Sequence, residues 1–279
     1  MHKKVAEIYG HQPAYNGFVV GCEFEIEQVN NYGNYHAKFP EVHVTSDHSL
    51  RDNGMEFITP PCLPEVALKA HEGLGKHLSF VSKEKAFSFR TSTHVHVNFL
   101  DVTEEKVKQF IYLYSVLEPY FFAFASKDRQ NNIFCVPLFC TTQSRNYGKP
   151  LTELVKDGSS GEGVFRHHQW HKYAAFNILP LATQGTIEFR HLEGTFDTAK
   201  VKAWLDLIEA VYDFNLIHKI DFTSISVLDF IKANLKVFGL TYDPQHDSLM
   251  ESVAIDIVLA LTKPDVNKIL DAVSLKGEI

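Results

Sequence analysis

The chain of 279 residues is 45% hydrophobic and 22% charged, proportions that exclude a disordered chain. Its 27 Lys plus Arg against 34 Asp plus Glu give a formal net charge of −7, which argues against general nucleic-acid binding, because phosphate contacts need a surplus of cations. The start, MHKKVAEIYG, has no apolar h-region, and no later run reaches the length of a membrane span. Cys22, Cys62, Cys135 and Cys140 form no CxxC pair, so reduced thiols and a cytoplasmic location are expected.

In chain order, residues 18–29 (FVVGCEFEIEQV) alternate, with Cys22, Phe24 and Ile26 to one side and Glu23, Glu25 and Glu27 to the other, which predicts a strand. VHVTSDHSL leads through the turn signal Arg51-Asp52-Asn53-Gly54 into MEFITPP, the pattern of a hairpin. A helix is expected over about 64–81, weakened by Gly73 and Gly75. FSFRTSTHVHVNFL alternates again as a strand. A helix start at Asp101-Val102-Thr103-Glu104 precedes Val107, Phe110, Ile111, Tyr114 and Leu117 at helical spacing. Residues 127–173 hold no long periodic element, as in a functional loop. Within them, Arg166, His167, His168, Trp170 and His171 read as a surface or lid cluster.

KYAAFNILPL and GTIEFRHL predict two further strands, joined through Thr183, Gln184 and Gly185. Asp197 is placed to cap a helix whose stripe is Val201, Trp204, Leu205, Ile208 and Val211. Short helices are expected at 226–238, 247–262 and 264–274. Strands early and helices late give an α+β class, with an antiparallel sheet, helices on one face and further helices at the C-terminal end.

The chemistry lies in the strand parity. Glu23 with Glu25, His94 with His96, and Glu188 with Arg190 sit at i and i+2, and Glu56 lies between Met55 and Phe57. Side chains two apart on a strand share a face, about 6–7 Å from each other. Any one pair reads as easily as a solvated face or a surface ion pair. Together, on one sheet, they would crowd carboxylates that a cation must neutralise. Acids outnumbering imidazoles favour Mg²⁺ or Mn²⁺ around a polyphosphate over a single zinc, and an arginine beside them suits phosphoryl transfer.

Gly21-Cys22-Glu23-Phe24-Glu25, Gly54-Met55-Glu56-Phe57, Ser92-Thr93-His94-Val95-His96-Val97 and Thr186-Ile187-Glu188-Phe189-Arg190, in this order, resemble the amidoligase family. Those carboxylate–amine ligases have a glutamine synthetase-like fold and are related to glutamate–cysteine ligases. The resemblance covers about residues 18–204, within one catalytic domain spanning 1–279 whose helical extension begins near 220. Asp47-His48-Ser49-Leu50 and Glu193-Gly194-Thr195 also fit its pattern. It implies metal ligation by Glu23, Glu25, Glu56, His94 and Glu188, with Asp47 as a further acid. His96 would face nucleotide phosphate or substrate, Arg190 the transferred phosphate or substrate carboxylate, and Arg129 and Asn131 the nucleotide or substrate.

The expected activity is ATP-dependent joining of a carboxylate to an amine through an acyl phosphate, with Mg²⁺ or Mn²⁺ as cofactor. The substrates could be small molecules, peptides or modified bases. The rival readings are a zinc hydrolase built on His94 and His96, and a nucleotide- or metal-binding protein of the same fold without turnover.

Overall fold

In the computed structural model, which describes residues 3–12, 15–29, 42–78, 80–138 and 170–262, six strands make one sheet. They are β1 (Val20–Ile26), β2 (His43–Ser46), β3 (Met55–Ile58), β4 (Ser92–Asn98), β5 (Phe176–Asn177) and β6 (Thr186–Glu193), in the spatial order β2-β3-β1-β4-β6-β5. Every pairing is antiparallel. The α-helices among the described residues are α1 (Val5–Tyr9), α2 (Pro64–His77), α3 (Lys83–Ala86), α4 (Glu104–Phe124), α5 (Lys127–Gln130), α6 (Pro180–Thr183), α7 (Thr198–Ile217), α8 (Val227–Ala233) and α9 (Asp247–Thr262). The class is α+β.

Helices α2, α4 and α7 cover the apolar face. Phe24 of β1 meets His71 of α2, Phe189 of β6 meets Phe110 of α4, and Phe189 also meets Trp204 of α7. The rings of Phe176 and Tyr114 stack with centroids 4.0 Å apart. Every residue of α4 from Gln109 to Phe122 is buried, because α9 packs against it from outside the sheet–helix layer. A helix apolar on all sides is thus the middle of three layers. Thr103 and Asp197 cap α4 and α7 by accepting the N–H of Lys106 and Lys200. No helix among the described residues is long and apolar enough to cross a membrane.

Register determines what the other face presents. Glu23 pairs with His94, Gly21 with His96, Glu25 with Glu56, and His96 with Glu188. Between Thr93↔Leu192 and Val95↔Phe189 the register slips, so that His94 alone faces Arg190 and His191. Arg190 keeps the face of Glu188 by strand parity, and the β-bulge breaks the alternation just after it, so that His191 and Leu192 are both buried in the core.

Several elements differ from the sequence expectation. The strand read in KYAAFNILPL shrinks to Phe176–Asn177, because the Asn177 Oδ1 accepts the N–H of Leu179 and Pro180 opens α6. Strand β2 stops at Ser46, where the Asp47 carboxylate accepts both the N–H and the hydroxyl of Ser49. The turn signal still acts, with Asp52 and Asn53 at φ 50° and 59° in the left-handed region that these residues tolerate. Helix α2 ends at His77, short of the expected 81. Trp170 is not at the surface: it is buried, and its indole N–H donates to the Phe176 carbonyl. Arg166, His167, His168, Cys140 and the helix expected at 264–274 lie outside the described residues. Cys22, Cys62 and Cys135 are free thiols.

Candidate active site

The polar face brings together Glu23, Glu25, Glu56, His94, His96, Glu188 and Arg190 from four strands. His94 Nδ1 lies 3.0 Å from Glu23 Oε2 and 3.5 Å from Glu188 Oε1. His96 Nε2 is 3.2 Å from Glu23 Oε1, and its Nδ1 is 3.0 Å from the Thr186 hydroxyl. Arg190 donates to Glu188 Oε1, and Asn177 Nδ2 donates to Glu188 Oε2 at 2.7 Å. Glu25 Oε2 accepts from the Ser92 N–H at 2.7 Å and from the Ser92 hydroxyl at 2.5 Å. One ligand atom from each of Glu23, His94 and Glu188 falls within 4.8 Å of the others, as does one from each of Glu25, Glu56 and His94.

The acids in this cluster are not electrostatically equivalent. Burial raises Glu23, but hydrogen bonds from His94 and His96 outweigh it and hold the carboxyl far below the usual range. Burial also raises Glu188, and Arg190, His94 and His96 more than offset it. Glu56 goes the other way. Burial, with the charges of Glu23, Glu25 and Asp47 and a hydrogen bond to Glu23, pushes it up to about 8. Without a cation, the cluster takes up a proton to limit its own repulsion. That need for positive charge, and a donor set of carboxylates and imidazole, fit hard or borderline divalent ions.

Arg129 is not aimed into the cluster. It is 1% exposed, and its guanidinium donates to the carbonyls of Arg190 at 2.6 Å, His191 at 3.2 Å and Phe89 at 3.5 Å. Its position makes it a clamp on the bulged stretch of Arg190 and His191. Asn131 is exposed on the turn after α5, outside the cluster. Asp47 acts on Glu56 through its charge.

A wall of alternating guanidinium and aromatic groups runs beside the cluster. Arg51 and Arg90 each lie 5.3 Å from the centre of the Phe89 ring, Arg90 lies 5.7 Å from Phe134, and Arg190 lies 6.0 Å from Tyr173. Phe134 and Tyr173 meet edge to face. Phe89 is 44% exposed, and Arg90 Nε, though buried, has no hydrogen-bond partner among the described residues. Sequence reasoning missed this wall, since its members lie on three separate loop stretches and on β6. It also missed Ser92, although Ser92 shares the parity of His94 and extending the i, i+2 pattern by one step finds it.

No curated protein matches the chain. A family model described as "Putative amidoligase enzyme" matches residues 3–212, which takes in all six strands, α7 as far as Tyr212 and every member of the polar cluster. The chain therefore belongs to the amidoligase family.

Proposed function

We propose that this protein is an ATP-dependent carboxylate–amine ligase acting through an acyl phosphate, with its sheet used in the manner of glutamine synthetase, as one catalytic domain over 1–279 working in the cytoplasm. The observation that carries the reading is the convergence of four carboxylates, two imidazoles and Arg190 from four strands on one face. Bound Mg²⁺ or Mn²⁺ would neutralise polyphosphate charge during transfer. Glu23, Glu25, Glu56, His94 and Glu188 would hold the cations.

A polyphosphate lying on those cations needs positive partners on its other side. Arg51, Arg90 and Arg190 supply them, and Phe89 offers a ring for a nucleobase to stack on. His96 would face the phosphates at the edge of the cluster. Arg190, held by Glu188 and by the bulge, would grip two oxygens of the phosphoryl group as it moves to the substrate carboxylate. An amine then displaces phosphate to form the amide. The chain's work is positioning and charge compensation, which is what phosphoryl transfer chiefly requires.

Replacing Arg190 with Lys keeps the charge and removes the planar fork. Metal and nucleotide binding, read by calorimetry, should stay near wild type while turnover falls by a factor on the order of 10²–10³. Normal turnover in that variant would reduce Arg190 to an ion-pair partner of Glu188. A stoichiometric zinc that survives purification and supports hydrolysis without ATP would instead favour the hydrolase built on His94 and His96.

A further inference from the structure

Asn131 and Asn132 are neighbours in sequence with unlike surroundings. Asn131 is exposed, whereas Asn132 is 6% exposed and uses both ends of its side-chain amide. Its Oδ1 accepts the Phe134 N–H at 2.8 Å, closing a turn, and its Nδ2 donates to the Phe89 carbonyl at 2.5 Å. A side-chain amide can do both because it carries a donor and an acceptor on one plane. The two residues it joins are the two whose rings flank Arg90, 5.3 Å and 5.7 Å from the guanidinium carbon. The Phe89 carbonyl also belongs to the peptide that leads into Arg90. Arg90 Nη1 donates to the Ser49 carbonyl at 2.9 Å, a neutral partner, and its Nε has none among the described residues. Arg190, by contrast, is engaged by Glu188. Arg90 is thus held by rings and carbonyls, which leave its positive charge for an anion.

We propose that Asn132 is a positioning residue that fixes Arg90 between the Phe89 and Phe134 rings and so presents its guanidinium, already ordered, to the phosphates of the nucleotide. A guanidinium stacked on rings still offers N–H groups at its edge to phosphate oxygens. A long side chain ordered before the ligand arrives spares the complex that loss of entropy. The inference rests on the nucleotide reading of the site given above. It adds a residue that touches neither nucleotide nor cation and acts through Arg90.

Two measurements test it. Asn132→Ser keeps an oxygen able to close the turn on Phe134 and loses the donor that reaches Phe89. In calorimetry with the Mg²⁺ complex of AMPPNP, a non-hydrolysable ATP analogue, it should weaken binding about 3–10-fold, the cost of ordering one long side chain on binding. In an Arg90→Met background the same substitution should change affinity by less than about 2-fold, since no guanidinium is left to place. Equal losses in both backgrounds would make Asn132 merely structural. That result, or no loss in the wild-type background, overturns the proposal while leaving the ligase reading standing. Should the Ser variant fail to fold, wild-type protein labelled with ¹⁵N-arginine carries the test. Its Arg90 Nε–H signal, identified by its absence in Arg90→Met, should shift when Mg²⁺ and AMPPNP are added. An unmoved signal with binding evident in calorimetry overturns the proposal and needs no Asn132 variant to do so. A wild-type protein that does not bind AMPPNP removes the nucleotide reading and this inference with it.

Discussion

His96 and His191 sit on adjacent strands, β4 and β6, and face opposite sides of the same sheet. Burial alone would lower both imidazoles. At His96 the carboxylates of Glu23 and Glu188 outweigh it, and the ring is raised above its ordinary value. At His191 burial acts with the charge of Arg129, and the ring is pushed well below it. His191 instead bonds the Tyr114 hydroxyl at 2.7 Å and packs among Phe121, Phe122 and Trp204. One face of the sheet is arranged to carry charge and the other to exclude it. The polar face should therefore cost stability and provide chemistry, while the helix face should do the reverse.

The sharpest way to break this contrast is Glu23→Gln. The amide keeps the shape but removes the charge that His94 and His96 address. Divalent-ion affinity should fall by at least about 100-fold, with turnover lost, while the urea midpoint moves little. A large stability loss with metal binding intact would reverse the roles assigned to the two faces.

Arg129→Met comes next. It leaves the bulge carbonyls of Arg190 and His191 without their charged donor, which should cost roughly 2–4 kcal/mol in urea unfolding. The folded fraction should still bind Mn²⁺. Loss of metal affinity at unchanged stability would place Arg129 in the site after all. On the helix face, Tyr114→Phe removes the hydroxyl shared by His191 and Glu118 and should cost about 1–2 kcal/mol, with no change in Mn²⁺ titrations.

The smallest effect concerns pH. Glu56 is raised in the folded, metal-free protein, so its contribution to stability is fully present below its unfolded value and is lost as pH rises toward about 8. A divalent ion competes with that proton. Titrating Mg²⁺ near pH 7 in buffers of different ionisation enthalpy should show a fractional proton released per ion, with tighter binding at higher pH. Proton uptake would be the wrong sign.

The parity of Glu23, Glu25, His94, His96 and Glu188 was legible because a two-residue period fixes the face of each side chain once a strand exists. The Asp197 cap was legible because a cap is a local signal, and residues 101–104 marked the start of α4 without singling out Thr103. The slip between β4 and β6 was not, since a bulge is a property of two strands and neither sequence contains it alone. Nor was the burial of Arg129. An arginine in the loop segment DRQNN looks solvated until the carbonyls it must satisfy are known. The shortening of β5 could have been read from Asn177 and Pro180, which favour a turn, but the apolar residues around them masked that signal.

The bulged pairing of β4 with β6 also has a consequence for synthesis. β4 can settle against β1 as soon as Asn98 leaves the ribosome, but its second partner begins at Thr186. At ordinary elongation rates that gap lasts roughly 5–20 s. Throughout it, the backbone of STHVHVN offers an open sheet edge on which another nascent chain could pair. Glu188 is still absent, so the group of Glu23, His94 and Glu188 is incomplete throughout. A message truncated before residue 186 would yield a chain with an unguarded edge and without that group.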